Sequence, residues 1–585
     1  MEKFKKYKYD VIAAAAISVI VTIFLVWFYQ LIGVDLHVPI NYTGGDEMSF
    51  LATARLTQDS FWNFGTTRLS FPEEYYYNGS EIITGLHNAD VFLVKTFMIL
   101  TGNQVGLAVN LAYFSFFYII AYCSYFVLRK LSIRPWISVC GSVCYAMLSY
   151  IFIRNLGHVV LSAYFFVPLA LLMAVWVYEK ENFLKPCRGF FRNKENYVGI
   201  LLAFLVANAG IGYYQVFACF FIAVTVIVAL LRDKDTACLK RGITAVGCIV
   251  VFVVLAVIPE IITMAVGHID AEGRGRIEYS ESFSLNLVQM LFPVNSHGIQ
   301  FIQNAIDNVE NILPEGYVNE NWSSYIGLAG VLGFIILFVI LLKRGEDKTE
   351  FDKRINLLAM LNMAGVLFGI TGGLGCILYM GGFYLLRSYN RISVFIAFLC
   401  IAALCMVLDR HIKKLKKNAQ IVVQIIVSLF FVFSIWEQNP GVEMNYTRLE
   451  TNWYSDEKFI NDIEAECQQD DVVMQLPYCS YPEDNAKNDM SFMSHFIGYI
   501  HSQKLRWCYG TMLESDADTW YRETAGLEPE AMVQELRNKS VAGIYINRTG
   551  YEQKEWEDLE SAFKRITGTE PVISENNQLS FFKIN

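Results

Sequence analysis

Long apolar runs alternate along the chain with short polar segments. A hydrocarbon core roughly 30 Å thick takes about 20 apolar residues to cross as a helix. At that length the pattern predicts eleven spans, at about 11–33, 104–128, 136–152, 159–178, 197–212, 213–231, 242–262, 323–342, 356–375, 391–408 and 420–436. After Trp436 the apolar runs shorten to strand length and charge becomes dense. There the spacing predicts helices over Asp456–Cys467, Glu528–Arg537 and Gln553–Ile566, with strands at 471–477, 541–546, 572–574 and 579–584. Helices alternating with strands predict a small α/β domain, and roughly 150 residues can bury a core of their own. The expected architecture is a polytopic α-helical membrane domain over 1–436 and an extracytoplasmic α/β domain over 437–585.

The segments between spans alternate in charge, and this fixes the expected orientation. Lys3, Lys5, Lys6 and Lys8 precede the first span, and Arg129, Lys130 and Arg134 occupy the next loop on the same side. The series continues through the basic segments around 180–194, 232–241, 343–354 and 410–417. Basic loops stay cytoplasmic, so loops 34–103, 263–322 and 376–390 and the C-terminal domain are expected outside, with the N-terminus inside. The apolar run Val11–Val34 has no small-x-small cleavage signal after it, so the first helix reads as a retained anchor.

Composition agrees with the membrane assignment, with 54% of residues hydrophobic and 18% charged. A net charge of −9, with basic clusters confined to short loops, argues against nucleic acid as a partner. Most of the 13 cysteines lie in or beside spans, where they read as small packing residues. Cys467, Cys479 and Cys508 in the outer domain have no metal-like spacing, so neither zinc nor a disulfide framework is expected.

Candidate chemistry begins at Asn41-Tyr42-Thr43-Gly44-Gly45-Asp46-Glu47-Met48, which places two adjacent carboxylates just beyond the first span. Such a pair at the outer face suits a general base acting on a membrane-borne substrate; the plainer reading is a turn in which Asp46 or Glu47 supports the start of a helix. The remainder of loop 34–103 predicts two interfacial helices, Met48–Phe64 and Asp90–Leu100, lying flat with aromatic faces in the headgroups. In the C-terminal domain, His495–Tyr509, with His501, Arg506 and Trp507, reads as a sugar- or polymer-binding stretch or, more simply, as packing.

This arrangement resembles the GT-C-fold glycosyltransferases: a long first outer loop with an acidic pair, interfacial helices, about a dozen spans and an outer C-terminal domain. The pair Asp46-Glu47 is similar to the acidic pair of protein O-mannosyltransferases and their bacterial relatives. Several further segments resemble a bacterial GT-C-like group related to the YfhO-type membrane proteins. They are Tyr150–His158 with Tyr164 and Pro168, Glu278–Ser282 with Leu291-Phe292-Pro293 and His297, Asn319–Trp322, and Arg387-Ser388-Tyr389-Asn390-Arg391. The resemblance covers about residues 10–436.

It implies an integral membrane glycosyltransferase of a bacterial, Gram-positive cytoplasmic membrane. Such an enzyme moves a sugar from a polyprenyl-phosphate donor to an outer acceptor: a cell-wall or surface glycan, a teichoic-acid-like polymer or a protein. Asp46 is then the expected base, with Glu47 orienting the acceptor or a metal ion. Arg154, Arg387 and Arg391 form the expected clamp for the lipid phosphate, because a guanidinium meets phosphate with two parallel donors. His158, four residues after Arg154, shares its face if the helix continues. Weaker binding candidates are Glu74, His87, Asp90, Tyr213, Gln215, His268, Glu278, His297 and Asn390. The metal ligands are unknown: no cofactor is certain, and a divalent cation, Mg or Mn, is left open. Two other classes compete, a transporter or flippase of lipid-linked sugars and a non-catalytic scaffold for envelope polymers. Transporters favour midplane acids and repeated halves, and here the spans hold few acids and show no repeat.

Overall fold

The computed structural model describes residues 2–59, 68–72, 89–187, 189–208, 210, 212–266, 283–293, 297, 299–312, 320–343, 349–383, 386, 388–439, 441, 444–481, 487–511, 513 and 515–584. Among these, seven helices are long and apolar enough to cross a membrane, and the chain is a membrane protein. They are Lys8–Phe28, Val105–Lys130, Pro135–Arg154, Tyr213–Asp233, Thr236–Ile258, Tyr389–Ile412 and Lys417–Trp436. All eleven predicted spans fall on helix, but four of them fall short of a full span. Val167–Glu179 and Gly327–Leu342 are shorter apolar helices. Lys194–Ala207 has 14 residues, and Glu350–Gly369 opens on a charged turn. The segment predicted at 159–178 is broken, with Val159–Ser162 ending before Val167–Glu179, where Pro168 occupies the first turn.

Tyr389–Ile412 runs through the middle of the bundle, and 89% of its apolar window is buried. Thr236–Ile258 and Lys417–Trp436 lie at the periphery, 22% buried, with apolar side chains facing outward as lipid-facing helices do. Gly333 lets Gly327–Leu342 close onto Ser393–Ile412, since a Cβ there would collide with the Cys400 carbonyl.

The C-terminal domain is built on one five-stranded sheet in the order β2-β1-β3-β5-β4, with β1 Val472–Leu476, β2 Arg506–Trp507, β3 Val541–Asn547, β4 Val572–Ile573 and β5 Leu579–Lys583. β1 pairs in parallel with β2 and β3, while β5 runs antiparallel to β3 and β4. Every residue of β1 and β3 is buried, as expected for central strands covered on both faces. The helices Tyr446–Glu466, Pro529–Asn538 and Gln553–Thr567 match the predicted pattern, the first beginning ten residues earlier than expected. The pattern gave no sign of β2, Phe496–His501 or Asp516–Ala525. None of the 13 cysteines is joined in a disulfide.

The expectation of two flat interfacial helices is corrected for the first of them. The helix Glu47–Asp59 is enclosed by protein: Met48, Phe50, Leu51, Ala52, Thr53, Ala54, Arg55 and Leu56 are all buried. It packs between the membrane helices and the C-terminal domain, where Arg55 donates to the Ser502 carbonyl and to Gln503. The second, Ala89–Leu100, buries Val91, Val94 and Met98 and exposes Phe92, Ile99 and Leu100.

Candidate functional site

The acidic loop is held from three sides. Asn110, a buried amide on Val105–Lys130, accepts from the Ile40 N–H at 3.0 Å and donates to the carbonyls of Leu36 and Val38. Glu47 folds back on the loop, its Oε1 accepting from Thr43 N–H at 2.6 Å, Thr43 Oγ1 at 2.9 Å and Gly45 N–H at 3.1 Å. Tyr42 donates its hydroxyl to Asp456 Oδ2 of the C-terminal domain at 2.8 Å. Glu47 is therefore buried and engaged with its own loop, while the Asp46 side chain is 46% exposed.

Opposite Asp46 stands His158, with Nε2 at 3.7 Å from Asp46 Oδ2. The helix Ser149–Arg154 stops at Asn155, whose φ is +42°, so the continuous helix that would align Arg154 with His158 is absent. A tight turn supplies the juxtaposition instead, with the His158 N–H donating to the Arg154 carbonyl at 2.9 Å. Desolvation, followed by the positive charges of Arg154 and Arg391, pushes the His158 imidazole well below its ordinary pKa. The shift favours the uncharged imidazole, whose side chain is 42% exposed beside Asp46.

The cationic wall comes from two elements. Arg154 is buried, with its guanidinium 5.4 Å from the centre of the Tyr150 ring. Arg391 leaves the turn Tyr389–Ile392 at the head of the central helix and lies over the Tyr213 ring at 4.3 Å, a cation–π geometry. Among the described residues no carboxylate pairs with Arg391, and its Nε is buried without a hydrogen-bond partner. Tyr213 thus enters the site as the platform for Arg391.

The remaining candidates divide by position. Gln215 donates to the carbonyls of Ala207 and Gly210 and so braces the turn before its own helix. Asn390 is fully buried, and its backbone N–H bonds the Phe283 carbonyl. His297 accepts from the Ile299 N–H and packs edge-on against Trp436. Asp90 is completely buried at the start of Ala89–Leu100, and desolvation raises its carboxyl to about 6. Glu74, His87, His268, Glu278 and Arg387 lie outside the described residues. In the C-terminal domain His495, His501 and Trp507 are buried, which favours packing for them, while Arg506 is half-buried over the Phe71 ring. The sequence reading missed Asn110 and the pair Tyr42 and Asp456. An amide in the middle of an apolar span was the available signal for the first; a contact spanning 414 positions left none for the second.

No group of three or more His, Cys, Asp or Glu among the described residues has the spacing to hold a metal ion. Asp46 and His158 offer two donors, and the guanidinium charges acting on His158 oppose a cation there. The described residues do not fit a divalent metal, and no step is assigned to one.

No curated protein matches the chain. Solved structures give loose likenesses over most of its length. ArnT from Cupriavidus metallidurans in the apo state is 11% identical, with 98% of each chain covered and a TM-score of 0.48. The Archaeoglobus fulgidus oligosaccharyltransferase in the apo form is 12% identical, over 93% of this chain and 70% of that one, with a TM-score of 0.44. Arabinofuranosyltransferase AftD from Mycobacteria is 12% identical, over 93% of this chain and 35% of that one, also at 0.44. Likeness at this level assigns no activity. A family model does match more than half of the chain, residues 92–432, so the protein belongs to the family described as a domain of unknown function, DUF6311.

Proposed function

We propose that the protein is a membrane glycosyltransferase that moves a sugar from a polyprenyl-phosphate donor to a hydroxyl-bearing acceptor at the outer face of a bacterial cytoplasmic membrane. The observation that carries this reading is the facing pair of opposite chemistries. A half-exposed carboxylate, Asp46, meets His158, backed by Arg154 and by Arg391, which no described carboxylate pairs. The run of Lys and Arg in alternate loops supports the orientation, with the N-terminus cytoplasmic and the C-terminal domain outside.

In this reading the acceptor hydroxyl attacks the anomeric carbon while Asp46 takes its proton. The bond from the anomeric carbon to the phosphate oxygen breaks, and its electron pair leaves with the polyprenyl phosphate, whose charge rises from −1 to −2. Arg391 and Arg154 meet that developing charge, and His158 donates a hydrogen bond to the same phosphate. Arg387, four residues before Arg391, is a further member of the clamp. Glu47 holds the loop that presents Asp46. The acceptor is a cell-wall or surface glycan, a teichoic-acid-like polymer or a protein.

The test is transfer by the purified full-length protein in lipid, given a panel of polyprenyl-phosphate sugars. Wild type should transfer from at least one donor, Asp46→Asn should bind that donor without turnover, and Arg391→Ala should lose affinity for it. Unchanged turnover in Asp46→Asn would remove the base assignment. Movement of donor across the bilayer without transfer would replace the enzyme by a flippase.

A further inference from the structure

The C-terminal domain does more than sit beside the acidic loop; it grips it at several points. Tyr42, four residues before Asp46, inserts its hydroxyl between Asp456 Oδ2 at 2.8 Å and His501 Nε2 at 3.2 Å. Its ring meets Trp453 edge-on at 5.0 Å, and Trp453 in turn covers His501 at 4.3 Å. All four side chains are buried. Gly44 has φ of +84° and presses on the same domain, where an added Cβ would stand 2.5 Å from Ser494 Oγ. Further along the same loop, Ser70 and Phe71 donate N–H bonds to the carbonyls of Tyr509 and Trp507, and Trp507 returns one to Arg68. These bonds pin residues 68–71 against the β2 edge of the sheet.

We infer that Asp456 is a positioning residue for Asp46, acting through the Tyr42 hydroxyl, so that the C-terminal domain sets the reach of the carboxylate that faces His158. The inference rests on the glycosyltransferase reading for its kinetic consequence, though the geometry stands apart from it. Between Tyr42 and Asp46 the chain is Thr-Gly-Gly, the most permissive backbone available. With an anchor at Tyr42 and the Glu47 clasp behind it, the loop has one conformation; without the anchor, the glycines give it many. The Tyr42 hydroxyl donates to either a carboxylate or a carboxamide oxygen, so Asp456→Asn retains the anchor and Asp456→Ala removes it.

The experiment uses the full chain in lipid nanodiscs as wild type, Tyr42→Phe, Asp456→Asn, Asp456→Ala and the double variant Tyr42→Phe/Asp456→Ala. Amide hydrogen exchange is read over 41–49, and transfer kinetics are read with a polyprenyl-phosphate sugar. Exchange over 41–49 should rise about 10-fold in Tyr42→Phe and Asp456→Ala, the loss expected of one buried hydrogen bond, and stay near wild type in Asp456→Asn. kcat should fall about 10-fold with the donor KM held within about twofold, and the double variant should be no worse than either single. Multiplying losses in the double variant, or unchanged exchange in the singles, would overturn the inference. So would equal loss of protection in β1 and β3, because that reports unfolding of the domain. Altered exchange in a protein that transfers no sugar would leave the positioning intact and sink the glycosyltransferase. Normal kcat in both Tyr42→Phe and Asp456→Ala, with an active wild type, would do the reverse.

Discussion

At the end of the bundle that carries the basic loops, arginines are joined to carboxylates, whereas at the end facing the C-terminal domain Arg391 lies on an aromatic ring. Arg354 binds both oxygens of Glu179, at 2.6 and 2.7 Å. Arg129 pairs with Asp10, Arg134 with Asp409, Arg241 with Asp235 and Arg410 with Asp352. At the other end Arg391 covers Tyr213, and no described carboxylate answers it. A guanidinium already neutralised by a fixed carboxylate fastens helices together; one left on a ring face keeps its hydrogen-bond donors for an anion that arrives from outside. On the function proposed above, the contrast separates arginines that fasten helices from one held ready for the lipid phosphate.

The contrast breaks most sharply at the acid that faces the cations. Asp46→Asn should lower kcat by about 10²–10⁴-fold, the range of a lost general base, while the binding of radiolabelled donor persists. A loss confined to KM would make Asp46 a ligand instead. The next effect compares the two ends directly. Arg391→Ala should cost about 10–100-fold in kcat/KM, equivalent to one charge-assisted phosphate contact, with little change in thermal stability. Arg354→Ala should do the opposite, destabilising the protein by about 3–5 kcal/mol as Glu179 is left half-buried without its cation, with kcat/KM for the donor held in the surviving folded fraction. Denaturation scans and kinetics on the same two preparations decide whether the ends differ as stated.

A smaller change tests the clasp. Glu47→Gln keeps the shape and weakens three hydrogen bonds that now end on a charge, so transfer should fall about 3- to 10-fold with faster amide exchange at Thr43 and Gly45. Exchange unchanged at those two amides would remove Glu47 from the loop's support.

The smallest expected effect is on the pH dependence of stability. Burial raises Asp456 to about 7, against an unfolded value of about 3.9. Between those values the native chain keeps a proton that the unfolded chain has released, so Asp456 contributes most below about pH 4, and its contribution is lost as pH rises to about 7. Asp90, raised to about 6, behaves alike over a narrower window. Asp456→Asn should therefore gain about 2–4 °C in Tm relative to wild type on going from pH 4.5 to pH 7.5. A difference between the two proteins that is constant with pH would show that Asp456 does not titrate in that window.

Much of this was legible in the linear pattern, and the failures have identifiable causes. Apolar runs located helix at all eleven expected spans, because hydrophobic length is a local property. Their integrity was less visible, since a break such as the one ahead of Pro168 leaves hydropathy almost unchanged. The strands β1, β3 and β5 could be read from buried apolar runs. The two-residue strand β2 could not, because it is defined by partners on Val472 and Val473 rather than by its own pattern. The helix Glu47–Asp59 looked interfacial because its apolar residues recur at helical spacing; the reading had no means of knowing that a second domain closes over its other face.

The sequence by itself determined that this chain crosses a membrane several times, that its C-terminal quarter folds as an α/β domain, and that an acidic pair stands just beyond the first span. Hydrophobicity, strand and helix periodicity and the position of charged residues are carried by neighbours in the chain. Only the tertiary structure decided that Asp46 faces His158, that Arg391 rests on Tyr213, and that Tyr42 is fastened to Asp456. Each of these joins residues far apart in sequence, through packing that no local window contains. It also separated the acidic pair: Glu47 is drawn into its own loop by two N–H groups and a hydroxyl, and Asp46, one position away, is left half-exposed opposite His158.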